Sequence, residues 1–172
     1  MRQLKTCSRL VVLMLVAWTG ALSGQATAAS NALVVTAENV TAKNRGAAAD
    51  AAVLPGDVVR YQLRFTNPNQ GDVRGVVFTN PVPQGLRYVD GSAGADRQDV
   101  VVEYSIDGGK TYSARPMVSE VVAGKRVQKP AAAEQYSHVR WTVRGSIAPG
   151  ASVTAEFRAT LPAAQHKDSS SH

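Results

Sequence analysis

Cysteine is all but missing from this 172-residue chain. The single one, Cys7, lies in a segment that reads as a removable leader. The processed product would then hold no thiol, which excludes thiol catalysis, iron–sulfur clusters and cysteine zinc sites. Histidine is also scarce, with His138, His166 and His172 the only three. No two of them stand at a ligand spacing, and no carboxylate accompanies them in a metalloenzyme pattern. No serine sits in a Gly-x-Ser-x-Gly elbow, and no glycine loop precedes a helix to cradle a phosphate. No catalytic residue, metal or cofactor is therefore assigned, and the chain reads as not an enzyme. Amphipathic helical periodicity is absent too.

Long hydrophobic runs are missing as well, with one short exception. Leu10 to Trp18 is apolar for nine residues, against about twenty needed to cross a bilayer. Arg2, Lys5 and Arg9 precede it, and Ala26-Thr27-Ala28 follows with the small-x-small pattern that a signal peptidase cuts. Residues 1–28 are read as a cleaved signal peptide. The product is expected to carry no transmembrane anchor and to be exported, either to the periplasm or to the exterior and cell surface. The formal charge of +6 falls to +3 once the three leader cations are removed, too mild for a dedicated nucleic-acid binder.

The sequence does supply alternation. Val59, Tyr61, Leu63 and Phe65 interleave with Arg60, Gln62, Arg64 and Thr66. Val139, Trp141 and Val143 do so with Arg140, Thr142 and Arg144, and Val153 to Leu161 repeats the pattern. A period of two gives each segment one apolar and one wet face, the signature of a half-buried strand. Val100 to Ile106 forms a fourth set, with weaker candidates at 33–41, 73–79, 86–89 and 117–122. Pro55-Gly56 and Pro149-Gly150 supply turn chemistry before strong strands. Spans 42–53 and 123–135, rich in Ala, Lys and Gly, are read as loops. The polar tail 162–172 is expected to be disordered. Seven to eight short antiparallel strands without helices predict an all-β, immunoglobulin-like β-sandwich over residues 29–161.

Three pieces in order carry a resemblance. They are Leu54-Pro-Gly-Asp-Val-Val-Arg-Tyr-Gln-Leu-Arg-Phe-Thr-Asn67, Val76-Val-Phe-Thr-Asn-Pro-Val-Pro-Gln-Gly-Leu-Arg-Tyr-Val89, and Arg140-Trp-Thr-Val-Arg-Gly-Ser-Ile-Ala-Pro-Gly-Ala-Ser-Val153. Together they resemble a bacterial conserved-repeat domain of unknown function, found in secreted and cell-surface proteins. The resemblance implies an immunoglobulin-like sandwich used as a stalk, spacer or adhesive module, and transfers no catalytic residue. Asn80-Pro81 stands where the family more often has Asp-Thr. The chain has one copy where many relatives have arrays, which weakens the stalk reading because a spacer gains reach by repetition.

Four smaller motifs complete the reading. Ser105-Ile-Asp-Gly-Gly-Lys-Thr-Tyr112 is similar to the Asp-box of sialidases, but a single box does not make a propeller, so it is read as a hairpin. Asp90, Asp96, Asp99, Glu103 and Asp107 could together form a weak calcium site. Arg140, Arg144 and Arg158 are the candidate surface-contact residues, a mild cationic face for an anionic glycan, lipid or acidic protein. If Pro149-Gly150 closes a hairpin, Arg140 would sit opposite Glu156. Asn39-Val-Thr41 is a glycosylation sequon, which matters only in a eukaryotic host.

The expected function is that of a non-catalytic binding or structural module of the bacterial envelope or exterior, acting through protein–protein or surface contact. Its partner is a protein or envelope component of unknown identity, and no sequence feature fixes an oligomeric state. The alternative is a carbohydrate- or calcium-binding sandwich, for which Tyr88, Tyr112 and Tyr136 are the available loop aromatics.

Overall fold

A computed structural model describes residues 32–163. The segment read as a leader, its expected cleavage site and residues 164–172 of the expected tail lie outside the described residues. Ten strands follow one another: β1 (Leu33–Asn39), β2 (Val58–Thr66), β3 (Val77–Pro81), β4 (Arg87–Tyr88), β5 (Gly94–Ala95), β6 (Val100–Ser105), β7 (Met117–Val122), β8 (Lys125–Pro130), β9 (His138–Val143) and β10 (Ser152–Thr160). The fold is all-β and its pairings are antiparallel. One sheet runs β1-β2-β10-β4, with β5 also paired to β10. A second runs β3-β9-β6, and β7-β8 stands as a two-stranded ribbon. Among the described residues no helix is long and apolar enough to cross a membrane.

Both larger sheets contribute to one buried cluster. Leu63, Val153, Ala155, Phe157 and Ala159 enter it from the first, and Phe78, Val139, Trp141 and Val143 from the second. These are the apolar members of the alternating sets, so the period of two dictates which side chains leave water. Trp141 is 0% exposed and packs on Phe78 and Phe157, with ring centroids 5.9 and 6.1 Å away. Its indole N–H donates to the Gly94 carbonyl at 3.1 Å, which satisfies its one buried donor. At the β4 end Tyr88, 2% exposed, touches both Tyr104 and Tyr136, and those two rings stack at 4.5 Å. Burial pushes the Tyr104 hydroxyl pKa up, and its hydrogen bond to Tyr88 adds to the shift.

Three expectations are corrected by the observed elements. Strand β1 ends at Asn39, because that side chain accepts the Ala42 N–H at 2.9 Å and caps the five-residue helix α1 (Val40–Asn44). Span 42–53 is thus not all loop. Span 123–135 holds β8 and a short 3₁₀ turn (Ala133–Gln135). Third, Pro149-Gly150 does not close a β9–β10 hairpin, since β9 and β10 belong to different sheets. Asn67 enforces that crossing. It is 1% exposed, its amide donates to the carbonyls of Ile147 and Gly71, and its backbone bonds Gly150 and Ala151.

A second buried polar group fixes the α1 corner. Asp57, 1% exposed, accepts Arg45 Nη1 at 2.8 Å, Arg45 Nη2 at 3.2 Å, Asn39 Nδ2 at 2.8 Å and the Leu54 N–H at 3.0 Å. The Arg45 guanidinium first, then the Asn39 amide, hold its carboxyl well below the usual range. Asn39 is itself 3% exposed with its amide committed to Asp57, so the sequon asparagine is closed to modification in the folded chain.

Candidate interaction surfaces

The three arginines of the sequence reading do not share a face. Arg140 lies on β9, on the side of the second sheet turned away from Trp141. There it reaches Glu103 of β6 through Nη2 at 2.8 Å and Nε at 3.2 Å. Its guanidinium sits 4.2 Å from the centroid of the Tyr112 ring. The cross-strand partner is Glu103, whereas Glu156 pairs in register with Gln62. Arg144, exposed, follows β9 directly, and its N–H donates to the Asp99 carbonyl. Arg158, also exposed, belongs to β10 in the other sheet, opposite Arg60, which in turn is bonded to Glu38. Two separate outer faces therefore carry these charges.

Four of the five acids of the 90–107 stretch, Asp96, Asp99, Glu103 and Asp107, are occupied by their own chain. Asp107 accepts the N–H groups of Lys110 and Thr111 and the hydroxyls of Thr111 and Ser105. The Thr111 hydroxyl bond leads in holding its carboxyl well below the usual range. The segment then returns at Ser113 to pair with Tyr104, closing a tight turn in which Gly108 and Gly109 take positive φ. Asp99 bonds Arg97 and the Gly145 N–H, Asp96 accepts the Thr154 N–H, and Glu103 holds Arg140. Among the described residues no three Asp, Glu or His side chains come together to hold a metal ion. The loop aromatics are also committed. Tyr88 is in the core, Tyr136 is stacked on Tyr104, and Tyr112 lies beneath Arg140. A groove of about 420 Å³ does open beside Arg87, Asp90, Glu134 and Leu161, with polar and apolar lining mixed.

The least committed surface is the β7–β8 ribbon, which the sequence reading missed in half. Its base is tied by the Ala131 N–H donating to the Pro116 carbonyl at 2.8 Å, and both residues are buried there. Beyond that base neither strand pairs with a larger sheet. Every residue of β8 is exposed, and so are Met117, Val121, Val122 and Val127, with Val121 at 67%. Lys125, Arg126 and Lys129 give the ribbon a positive surplus, offset only by Glu120, which is paired with Lys129. A ribbon of two strands is marginal in water when nothing packs on it, and its exposed apolar side chains are divided between its faces, Met117 and Val121 on one and Val122 and Val127 on the other.

Its tip carries a local cost. Val122 pairs with Lys125 across Ala123 and Gly124, whose φ values are 50° and 77°. Two consecutive positive φ values define the type I′ turn that favours Asn-Gly or Gly-Gly. An alanine there bears the left-handed steric penalty of about 1 kcal/mol or more. Ala123→Gly is expected to stabilise the arm by about 1 kcal/mol, read as slower amide hydrogen exchange in β7 and β8 with the two larger sheets unchanged. Faster exchange in the arm would contradict the assigned turn. The two-residue Ala-Gly punctuation between 117–122 and 125–130 was the signal available in the sequence. The lysines of β8 obscured it.

No family model, curated protein or solved structure matches this chain.

Proposed function

We propose that the chain is an exported, immunoglobulin-like β-sandwich that works by protein–protein contact at a bacterial envelope or outside it, without chemistry of its own. The β7–β8 arm is the observation that carries this reading. It offers apolar and cationic groups to a partner and is built into neither larger sheet. The leader pattern of residues 1–28 supports export, and the ordered resemblance spanning Ala32 to Leu161 supports a secreted or surface-associated sandwich. The carboxylates bound within turns and sheet faces fit a scaffold role, since each is already engaged by its own chain.

Contact through the arm is testable with a photoreactive residue placed at Val121 or Val127, with Thr142 on the outer face of the second sheet as the reference position. Because Val121 and Val127 lie on opposite faces of the ribbon, the expected result is a discrete adduct from at least one of them and none from Thr142. The chain should be recovered from envelope or culture fractions without residues 1–28. Full-length chain confined to the cytosol would refute export. Equal labelling from arm and reference positions would refute the arm as the contact.

A further inference from the structure

Strand β1 is an edge without protection. It pairs only with β2, and its opposite side has no partner among the described residues. Edge strands in monomeric proteins are commonly guarded by lysine, proline, a bulge or a covering segment. Leu33 to Ala37 has no charge and no proline, and its pairing with β2 runs without a bulge. Leu33, Val34 and Val35 are 40%, 47% and 49% exposed. Leu33, Val35 and Ala37 lie in register with Phe65, Leu63 and Tyr61, so they share the core face of the sheet. Leu63 on that face is fully buried, whereas Val35 directly beside it is not. The three-stranded second sheet therefore stops short of β1, leaving apolar core-face surface open at the edge.

The hydrogen-bond parity of this edge is fixed. Thr66 donates its N–H to the Ala32 carbonyl at 2.7 Å, which makes Ala32–Thr66, Val34–Arg64 and Thr36–Gln62 the bonded pairs of the ladder. The N–H and C=O groups of Leu33, Val35 and Ala37 then point away from β2. Beyond them the outward N–H of Asn39 is already taken by the Ala49 carbonyl at 2.7 Å, which ends the open edge. What remains is a three-residue set centred on Val35.

From this geometry we infer that β1 is a homodimer interface, pairing antiparallel with the β1 strand of a second copy about a two-fold axis at Val35. In that register Val35 opposes its symmetry mate, and Leu33 opposes Ala37 of the second copy in both directions. Each of these three pairs exchanges two hydrogen bonds, so the outward groups are all satisfied. No like charges meet. Glu38 would face Ala32 of the other copy, and its carboxylate is already held by Arg60 and Lys43. The core-face side chains of the two copies continue one apolar stripe, and the two sheets join into one. A second copy is the occupant that fits, because a closed two-fold contact uses the same patch twice. The inference is independent of where the chain resides or what its arm touches.

Analytical ultracentrifugation of the purified protein tests the interface. The expected behaviour is a concentration-dependent monomer–dimer equilibrium. Val35→Lys, which sets two cations opposite each other at the axis, should weaken it by about tenfold or more while leaving in place the thermal unfolding curve taken at a dilution where both proteins are monomeric. A Cys7→Ser background permits a second readout. Val35→Cys should form an intermolecular disulfide on mild oxidation, since bonded antiparallel pairs bring Cα atoms to about 5.5 Å. Ala37→Cys should not, because its copies would lie four residues apart along the paired strands, about 14 Å. A protein that stays monomeric up to about 1 mM overturns the inference. So does a dimer that Val35→Lys leaves intact, or equal crosslinking from positions 35 and 37.

Discussion

Trp141→Ala is expected to cost about 3–5 kcal/mol, the range for removing a fully buried large aromatic. Three losses combine at this position. The indole is 0% exposed, it touches Phe78 and Phe157, and it supplies the donor for the Gly94 carbonyl. Because Phe78 comes from β3 and Phe157 from β10, the cavity opens between the two sheets and relaxes poorly. Against a total stability of about 5–15 kcal/mol for a domain, the variant would sit near its unfolding threshold at ambient temperature. Urea titration followed by circular dichroism reads the effect. The midpoint should fall sharply with the slope unchanged. A loss below about 1 kcal/mol would mean that Trp141 does not occupy the middle of the core. In the parent protein, Trp141 is also the only tryptophan after residue 28, so in a chain without residues 1–28 its fluorescence reports the same transition.

The second large effect belongs to Asp57→Ala, and it depends on pH. This substitution removes the acceptor for Arg45, for the Asn39 amide and for the Leu54 N–H together. The Asn39 amide would be left buried without that partner, a costly outcome for a polar group. At neutral pH the expected loss is on the order of 10 °C in Tm. The sign of the pH dependence follows from the depressed carboxyl. Such a group contributes its stability above its unfolded value near 3.9 and loses it as pH falls toward the lower folded value. The difference between parent and variant should therefore be flat above about pH 5 and shrink steadily in acid. A difference that grows on acidification would contradict the assigned ionisation.

Much of this architecture could be read from the alternating segments. Leu63, Val139, Trp141, Val153 and Phe157 face inward in the sequence pattern and are buried in the structure. The pattern says which side chains leave water, but not which strand lies beside which. That is why Arg140 is matched to Glu156 by local reasoning and to Glu103 by the fold. The crossing at residues 144–151 depends on Asn67, whose partners Ile147 and Gly150 are about eighty residues away, beyond any local signal. The arm was only half visible for a different physical reason. A ribbon solvated on both faces needs no apolar alternation, so β8 reads as a charged loop. The open edge of β1 depends on how far the second sheet extends over it, and nothing within Leu33 to Asn39 encodes that.

The position of β10 has a consequence for the order in which this chain can become structured. It lies inside the larger sheet, paired with β2 on one side and with β4 and β5 on the other, and it is the last of the described strands to be synthesised. Until Ser152–Thr160 emerges from the ribosome, β2 has no neighbour on its inner side and half the core has no wall. A nascent chain of any shorter length lacks Val153, Ala155, Phe157 and Ala159, so closure of the core waits for the last described strand.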